Sequence, residues 1–350
     1  MPAAYRLFAR LLEPWYHLGP LRYGARMQRA IEAAVAVNMP TGLRLRAFTE
    51  QDYPDFAALH RCVYPTMAKS ETELRYADTR FQLPYKHSRW LALRDEHFVG
   101  WVEYAQHAAF DPPGQFALEL GALPYFDMLT PWLYEMLCDQ VQLHKPHALR
   151  TEVDDADAQF YRERGFREVK KNVSLRLELS SFSETRYRER LGHFTKQGYS
   201  FVTFAELERT DAGLNALYKL LREIVADVPS VVPRTPWSFE QFLVHRRKSP
   251  VLLPEASVVV RQGQMLVGVS ELKRTNEGGQ LMTSLTGVKR ESRGLGLALA
   301  AKVRALTFAR ERGFTEVVTQ NASSNSRMLS LNEHLGFQAF RMRTELLKTL

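Results

Sequence analysis

Three observations predict two units of α/β type, in the mixed α+β sense, laid end to end in one chain. A β-rich run from Leu281 to Val288 gives way to a basic turn with two glycines and then to a helical pattern from about Leu295 to Arg312. The order strand, helix, hairpin, strand, helix, strand, short helix, strand is read once from Gly42 and again from Tyr199. The closing run Leu331-Asn-Glu-His-Leu-Gly-Phe337 lines up with Phe160-Tyr-Arg-Glu-Arg-Gly-Phe166. A chain of 350 residues suits two such units, each able to bury a core.

The first copy opens with the alternating strand Leu43-Arg-Leu-Arg-Ala47, followed by Thr49-Glu-Gln-Asp52 as a helix start and an amphipathic run to Val63. Trp90 to Leu93 and Phe98 to Tyr104 read as a hairpin across Asp95-Glu-His97. A strand from Phe116 to Leu123 leads to a helix over about Pro131 to Leu143, then a strand Leu149 to Val153, a short helix, and a last strand Phe166 to Leu179. Ser180 to Gly198, charged and partly helical, joins the copies. The second copy runs through a strand at Tyr199 to Phe204, helices at Asp211 to Val225 and Ser238 to Arg247, and a hairpin of Ala256 to Val260 with Met265 to Leu272. After the glycine turn come the strand Glu316 to Thr319, a helix carrying Met328, Leu329 and Leu331 that stops at Gly336, and a final strand from Phe337. The boundaries expected are a helical extension over 1–41, a first unit over 42–180 and a second over 181–350.

The glycine turn is where chemistry is expected. A helix N-terminus presents unpaired backbone N–H groups and partial positive charge, and glycine lets a bulky anion approach that backbone. Thr286-Gly-Val-Lys-Arg-Glu-Ser-Arg-Gly-Leu-Gly-Leu-Ala298 therefore reads as a phosphate cradle, with a plain strand-to-helix turn as the alternative.

Residues 286–298 resemble the acetyl-CoA motif of the GCN5-related N-acetyltransferases, Arg/Gln-x-x-Gly-x-Gly/Ala, at Arg293, Gly296 and Ala298. Residues 325–337 resemble the motif that follows it in that family, at Asn325, Gly336 and Phe337. One position departs, since Asn332 stands where tyrosine is usual. The resemblance implies tandem units, each a mixed, mostly antiparallel central sheet flanked by helices. It also implies acetyl-CoA as co-substrate and transfer of an acetyl group to an amine of a small molecule or protein. By the same resemblance Thr286, Gly287 and Val288 would position the thioester arm, and Arg293, Gly294, Leu295, Gly296, Leu297 and Ala298 would hold the pyrophosphate. Asn325 and Asn332 would reach the cofactor through their amides.

The first copy is differently equipped. Aligning Leu123 with Val288 sets Met128 against Arg293, Leu129 against Gly294 and Pro131 against Gly296. Proline removes a backbone donor and Asp127 adds the wrong charge for a phosphate, so this copy is expected not to bind the cofactor. It keeps Tyr161 where the family's general acid lies; a tyrosine can give up a proton, whereas Asn332 offers only an amide hydrogen bond. The fourth strand of the second copy carries no carboxylate. Glu271 on the preceding strand is the candidate general base and Asn332 the candidate partner of the leaving group. Asp227, in a proline-rich loop, is the other carboxylate weighed, against a turn or capping role.

Composition narrows the remaining classes. The net charge of +8 is scattered along helices and reads as a solvated surface, with no nucleic-acid partner expected. No stretch reaches membrane-spanning length, and no membrane partner is expected. Cys62 and Cys138 lack neighbours at metal-ligand spacing, which points to reduced thiols, no metal and a cytoplasmic setting. A non-catalytic acyl-CoA-binding sensor is the competing function, and the oligomeric state expected is monomer or homodimer.

Overall fold

The computed structural model describes residues 42–65, 68–81, 85–107, 112–231 and 236–350; the expected N-terminal helical extension lies outside them. The described residues form twelve strands: β1 Leu43–Ala47, β2 His87–Arg94, β3 His97–Ala105, β4 Gln115–Ala122, β5 Ala148–Asp154 and β6 Arg167–Glu178, then β7 Tyr199–Thr203, β8 Val258–Gln262, β9 Met265–Arg274, β10 Gln280–Val288, β11 Glu316–Ala322 and β12 Gln338–Thr349. The helices of the first half are α1 Tyr53–Val63, α2 Glu71–Asp78, α3 Thr130–Gln142 and α4 Ala158–Arg162. Those that follow are α5 Arg188–Lys196 between the halves, α6 Phe204–Leu207, α7 Asp211–Ala226, α8 Phe239–Lys248, α9 Leu297–Glu311 and α10 Ser326–His334.

The element order expected from the sequence is present in both halves. Helices α2 and α6 are the additions: α6 starts at Phe204, expected in the strand, and α2 has only one buried apolar residue, Leu74, and so no periodic stripe to announce it. Its start is fixed instead by a capping box, in which Ser70 Oγ accepts from Glu73 N–H and the Glu73 carboxylate accepts from Ser70 N–H.

All twelve strands join one sheet, in the order β1-β2-β3-β4-β5-β12-β6-β11-β10-β9-β8-β7. The centre of that order holds an exchange. Strand β6, last in the first repeat, pairs antiparallel with β11 of the second, and β12, last in the second repeat, pairs antiparallel with β5 of the first. The two exchanged strands also pair with each other. Side chains follow the backbone. Leu175 and Leu177 of β6 sit in the core beneath α9 with Leu281, Val303 and Val317, while Leu346 of β12 sits in the first-half core with Phe116, Leu133 and Leu149. Period-two alternation sends these leucines to one face, so register and burial agree.

Helix α9 is apolar nearly all round, as a helix must be when it is covered on more than one side. Leu297, Ala301, Val303, Ala305, Leu306 and Ala309 are all buried, and the helix packs against β8, β9 and β10. That packing fixes the direction in which its N-terminus points.

Candidate active site

Strand β10 has two neighbours and holds to only one of them throughout. Parallel pairing with β11 covers Gln280 to Thr283 against Glu316 to Thr319 and then stops. Beyond it β10 stays with β9 to Val288, and β11 stays with β6 to Ala322. A V-shaped opening results, edged by Ser284 to Val288 on one side and by Gln320 to Ala322 on the other. A register shift between Thr283 and Leu285 turns β10 away at its mouth. From the sequence, Gly287 would permit an irregular strand or mark an innocuous bend. Gly287 is instead regularly paired with Val269, and its missing side chain makes room for α7, since a Cβ there would lie 2.4 Å from Ile224 Cγ2.

At the open end the chain turns through Arg290–Ser292 and reaches two left-handed residues, Gly294 at φ +81° and Gly296 at φ +87°. Side chains are strained in that region, which is why glycine stands at both positions. Gly296 is the N-cap of α9, and among the described residues no side chain caps the helix and the backbone N–H groups of Gly294 to Leu299 find no acceptor. A row of free donors at the positive end of a fifteen-residue helix is a binding surface for an anion. Leu295 is exposed beside it, Leu297 is buried in the core and Ala298 is half-buried.

Cations gather around this turn. Arg190, from α5 between the halves, places Nη2 2.6 Å from where a Cβ of Gly296 would stand. Nothing in the sequence marks this arginine, because it lies more than a hundred residues upstream. Arg290 and Arg293 both donate to the Asp227 carboxylate, which is held down to about 2, first by the Arg290 hydrogen bond. Asp227, at the C-terminus of α7, thus holds two arginines in place.

Glu271 is also committed. Its Oε1 accepts from Arg246 Nη1 at 2.8 Å and its Oε2 accepts from Ser284 Oγ at 2.7 Å, while Arg246 Nε donates to Glu208 at 2.7 Å. The carboxylate therefore reaches the strand position at which β10 parts from β11, through a serine. Thr286 Oγ1 lies 3.3 Å from Ser270 Oγ, and Val288 pairs with Gly268. Asn325 is the N-cap of α10, its Oδ1 accepting from Met328 N–H at 3.3 Å.

Asn332 is fully buried. Its Nδ2 donates to Asn321 Oδ1 at 2.7 Å, and its Oδ1 accepts from Lys302 Nζ. Nothing in the sequence sets Lys302 apart, since it is one of three cations in its helix, with Arg304 and Arg310. Its amine is buried, lies 4.4 Å from the Phe337 ring centre, and is pushed down to about 7 by burial. Asn321 stands past the last β10–β11 pair, so the three side chains run from the interior of α9 to the wall of the opening.

In the first half β4 and β5 part in the same way, pairing only over Gln115–Ala117 and Ala148–Arg150. The turn that follows is unlike its counterpart: Pro124–Leu129 forms a 3-10 helix, Pro131 occupies the first turn of α3, and Met128 projects into solvent. Tyr161 is buried against Tyr134, Phe160 and Phe166, and burial raises its hydroxyl pKa. Asp78, His87 and Glu103 also converge in this half, around Arg89, which donates to both carboxylates and so already supplies their cation.

No family model matches this sequence, and no curated protein does. Solved structures do. A GCN5-related N-acetyltransferase from Sphaerobacter thermophilus aligns over 89% of this chain and 97% of its own at 17% identity and TM-score 0.63. A tandem GNAT protein from the clavulanic acid biosynthesis pathway aligns over 88% and 98% at 16% identity and TM-score 0.65. An acetyltransferase of the GNAT family from Colwellia psychrerythraea aligns over 88% and 100% at 10% identity and TM-score 0.55. The likeness is one of fold: this chain has the tandem fold of GCN5-related N-acetyltransferases over most of its length.

Proposed function

We propose that the protein is an acetyl-CoA-dependent N-acetyltransferase whose active site lies in the second half, with a first half that does not catalyse. The observation that carries this reading is the uncapped N-terminus of α9, with left-handed Gly294 and Gly296, opening onto the gap between β10 and β11. Backbone N–H groups from Gly294 to Leu299, with Arg293 and Arg190, would hold the pyrophosphate, and the free edge of β10 at Thr286 to Val288 would take the pantetheine arm. Bound there, acetyl-CoA supplies an activated acyl group. The chain's own contribution is to orient an amine against it and to handle protons. Lys302 is the titratable group that touches Asn332, and it stands ready to hold a proton where the family's tyrosine would. Glu271, through Ser284, is the carboxylate on the acceptor side.

One finding favours the other reading, a non-catalytic acyl-CoA-binding sensor: Glu271 is locked by Arg246, and Asn332 itself cannot give up a proton. Two measurements distinguish them. Acetyl-CoA is expected to raise the melting temperature, Gly296→Pro to abolish the rise and Leu129→Ala to leave it intact; an unmodified protein that shows no rise refutes both readings. Thiol release over a panel of small-molecule and peptide amines then supports the enzyme, and silence across the panel supports the sensor. Monomer and homodimer are both compatible with the arrangement. Among the described residues no helix is long and apolar enough to cross a membrane.

A further inference from the structure

The first half has lost the anion cradle and keeps a cavity. It lies between the end of α1, the loop before α2 and the sheet where β4 parts from β5, and encloses about 180 Å³. That is roughly twelve times the ~15 Å³ a single water needs, enough for a molecule the size of an amino acid. The sheet face beneath it is charged where a core would be apolar. Register places Arg89 opposite Glu103 and Glu103 opposite Glu119 across β2, β3 and β4, and Arg150 and Glu152 continue the row on β5.

Most of these charges are used internally. Glu103 accepts from Arg89 and lies 3.0 Å from His87, Glu152 accepts from Asn172 at 3.0 Å, and Arg150 faces Glu345 at 3.7 Å. Two are not. Among the described residues Glu119 has no lysine or arginine within ion-pair distance, although Arg150 and Arg343 line the same cavity; its one near partner is His60, with Nε2 3.8 Å away and outside hydrogen-bond reach, and Lys69 at the mouth has no ion pair among the described residues. His60 is 2% exposed, stacked on Trp101 with ring centres 5.6 Å apart. Its Nδ1 accepts from Lys69 N–H at 3.4 Å, which leaves the ring hydrogen on Nε2, facing Glu119 and the cavity. Burial, with Lys69 next, pushes this histidine down to about 4, so at neutral pH it brings no charge to Glu119. A half-buried carboxylate with no lysine or arginine in ion-pair contact among the described residues, a lysine at the mouth and an unused N–H between them are complementary to a ligand carrying both signs.

We infer that this cavity binds a small zwitterion of amino-acid type, its ammonium on Glu119 and its carboxylate toward Lys69. The second half is built differently there: the position aligned with Glu119 is Ser284, and the carboxylate behind it, Glu271, is already paired with Arg246. The inference does not depend on acetyl-CoA binding, which involves the other half.

Isothermal titration of the full chain with the proteinogenic amino acids, singly at millimolar concentration, tests it. At least one is expected to bind one to one. Glu119→Gln and Lys69→Met are each expected to weaken that ligand about tenfold or more, the loss of a charge-assisted contact. The C-terminal amide and the N-acetyl derivative of the same amino acid are expected to bind as weakly. No binding by any amino acid overturns the inference. So does binding that both variants leave unchanged, because the ligand then sits elsewhere. Lys69→Met, at an exposed position, keeps the test decisive if Glu119→Gln disturbs folding.

Discussion

Among the described residues the amine of Lys302 has only Asn332 and the face of Phe337 to offset its charge, and it is buried with them. Its proton is released at about 7 in the folded chain against the ordinary 10.5. Between those values the unfolded chain binds a proton that the folded chain does not, so stability rises with pH through this window. Below about 7 both states hold the proton and the penalty of burying it is complete. Replacing the amine with a thioether of similar length removes the penalty. Urea denaturation at a series of pH values is expected to show wild-type stability climbing toward that of Lys302→Met as pH rises from 7 to 10. Parallel curves would mean that Lys302 keeps its charge. Gly296 supports a second prediction at this scale. Gly296→Ala would strain a backbone at φ +87° by about 1 kcal/mol and also displace Arg190, whereas at Gly294 a methyl group meets open space and only the strain applies. Thermal shift by acetyl-CoA is expected to fall more for Gly296→Ala than for Gly294→Ala; equal losses would remove Arg190 from the cradle.

Helix α5 joins the two halves and supplies the cation over the α9 N-terminus, so the connection serves the site as well as the chain. Arg190→Ala is expected to weaken acetyl-CoA binding by about tenfold, and to lessen its salt dependence, without changing the melting temperature of the free protein. Loss of stability with unchanged affinity would make Arg190 structural only. Asp227 is expected to behave as an arginine holder: Asp227→Asn should leave turnover within about threefold, where loss of a general base would cost ~10²-fold or more. The β10–turn–α9 element could be read from the sequence because its signals are local, namely glycines at positive φ and an apolar periodicity. Arg246 beneath Glu271 and Arg190 above Gly296 could not, since each reaches its partner across distant chain. The bulge at Ser284 likewise has no glycine to mark it, and Lys302 looks like any polar residue until its helix is seen covered on several sides.

At the scale of the whole molecule, repetition was evident in the sequence and the strand exchange was not. Each final strand alternates identically whether it closes its own half or the other, so pattern fixes which face of β6 and β12 is buried but not beside which neighbour. The exchange has a thermodynamic consequence. Residues 42–180 alone would lack β12, leaving β5 without its antiparallel partner and the first core without Leu346. Residues 181–350 alone would lack β6, opening the edge of β11 and removing Leu175 and Leu177 from beneath α9. Losing one buried leucine costs about 2–5 kcal/mol, a large share of the ~5–15 kcal/mol by which domains are stable, and an unpaired central edge adds an aggregation hazard. Neither fragment is therefore expected to show a cooperative unfolding transition by itself. Mixed after refolding, the two are expected to recover one, with the mass of a one-to-one complex by light scattering. The intact chain is expected to unfold in a single calorimetric transition whose van't Hoff and calorimetric enthalpies agree. Cooperative unfolding of residues 42–180 as an isolated monomer would show that the first half closes its own sheet and that the exchange is not what binds the halves together.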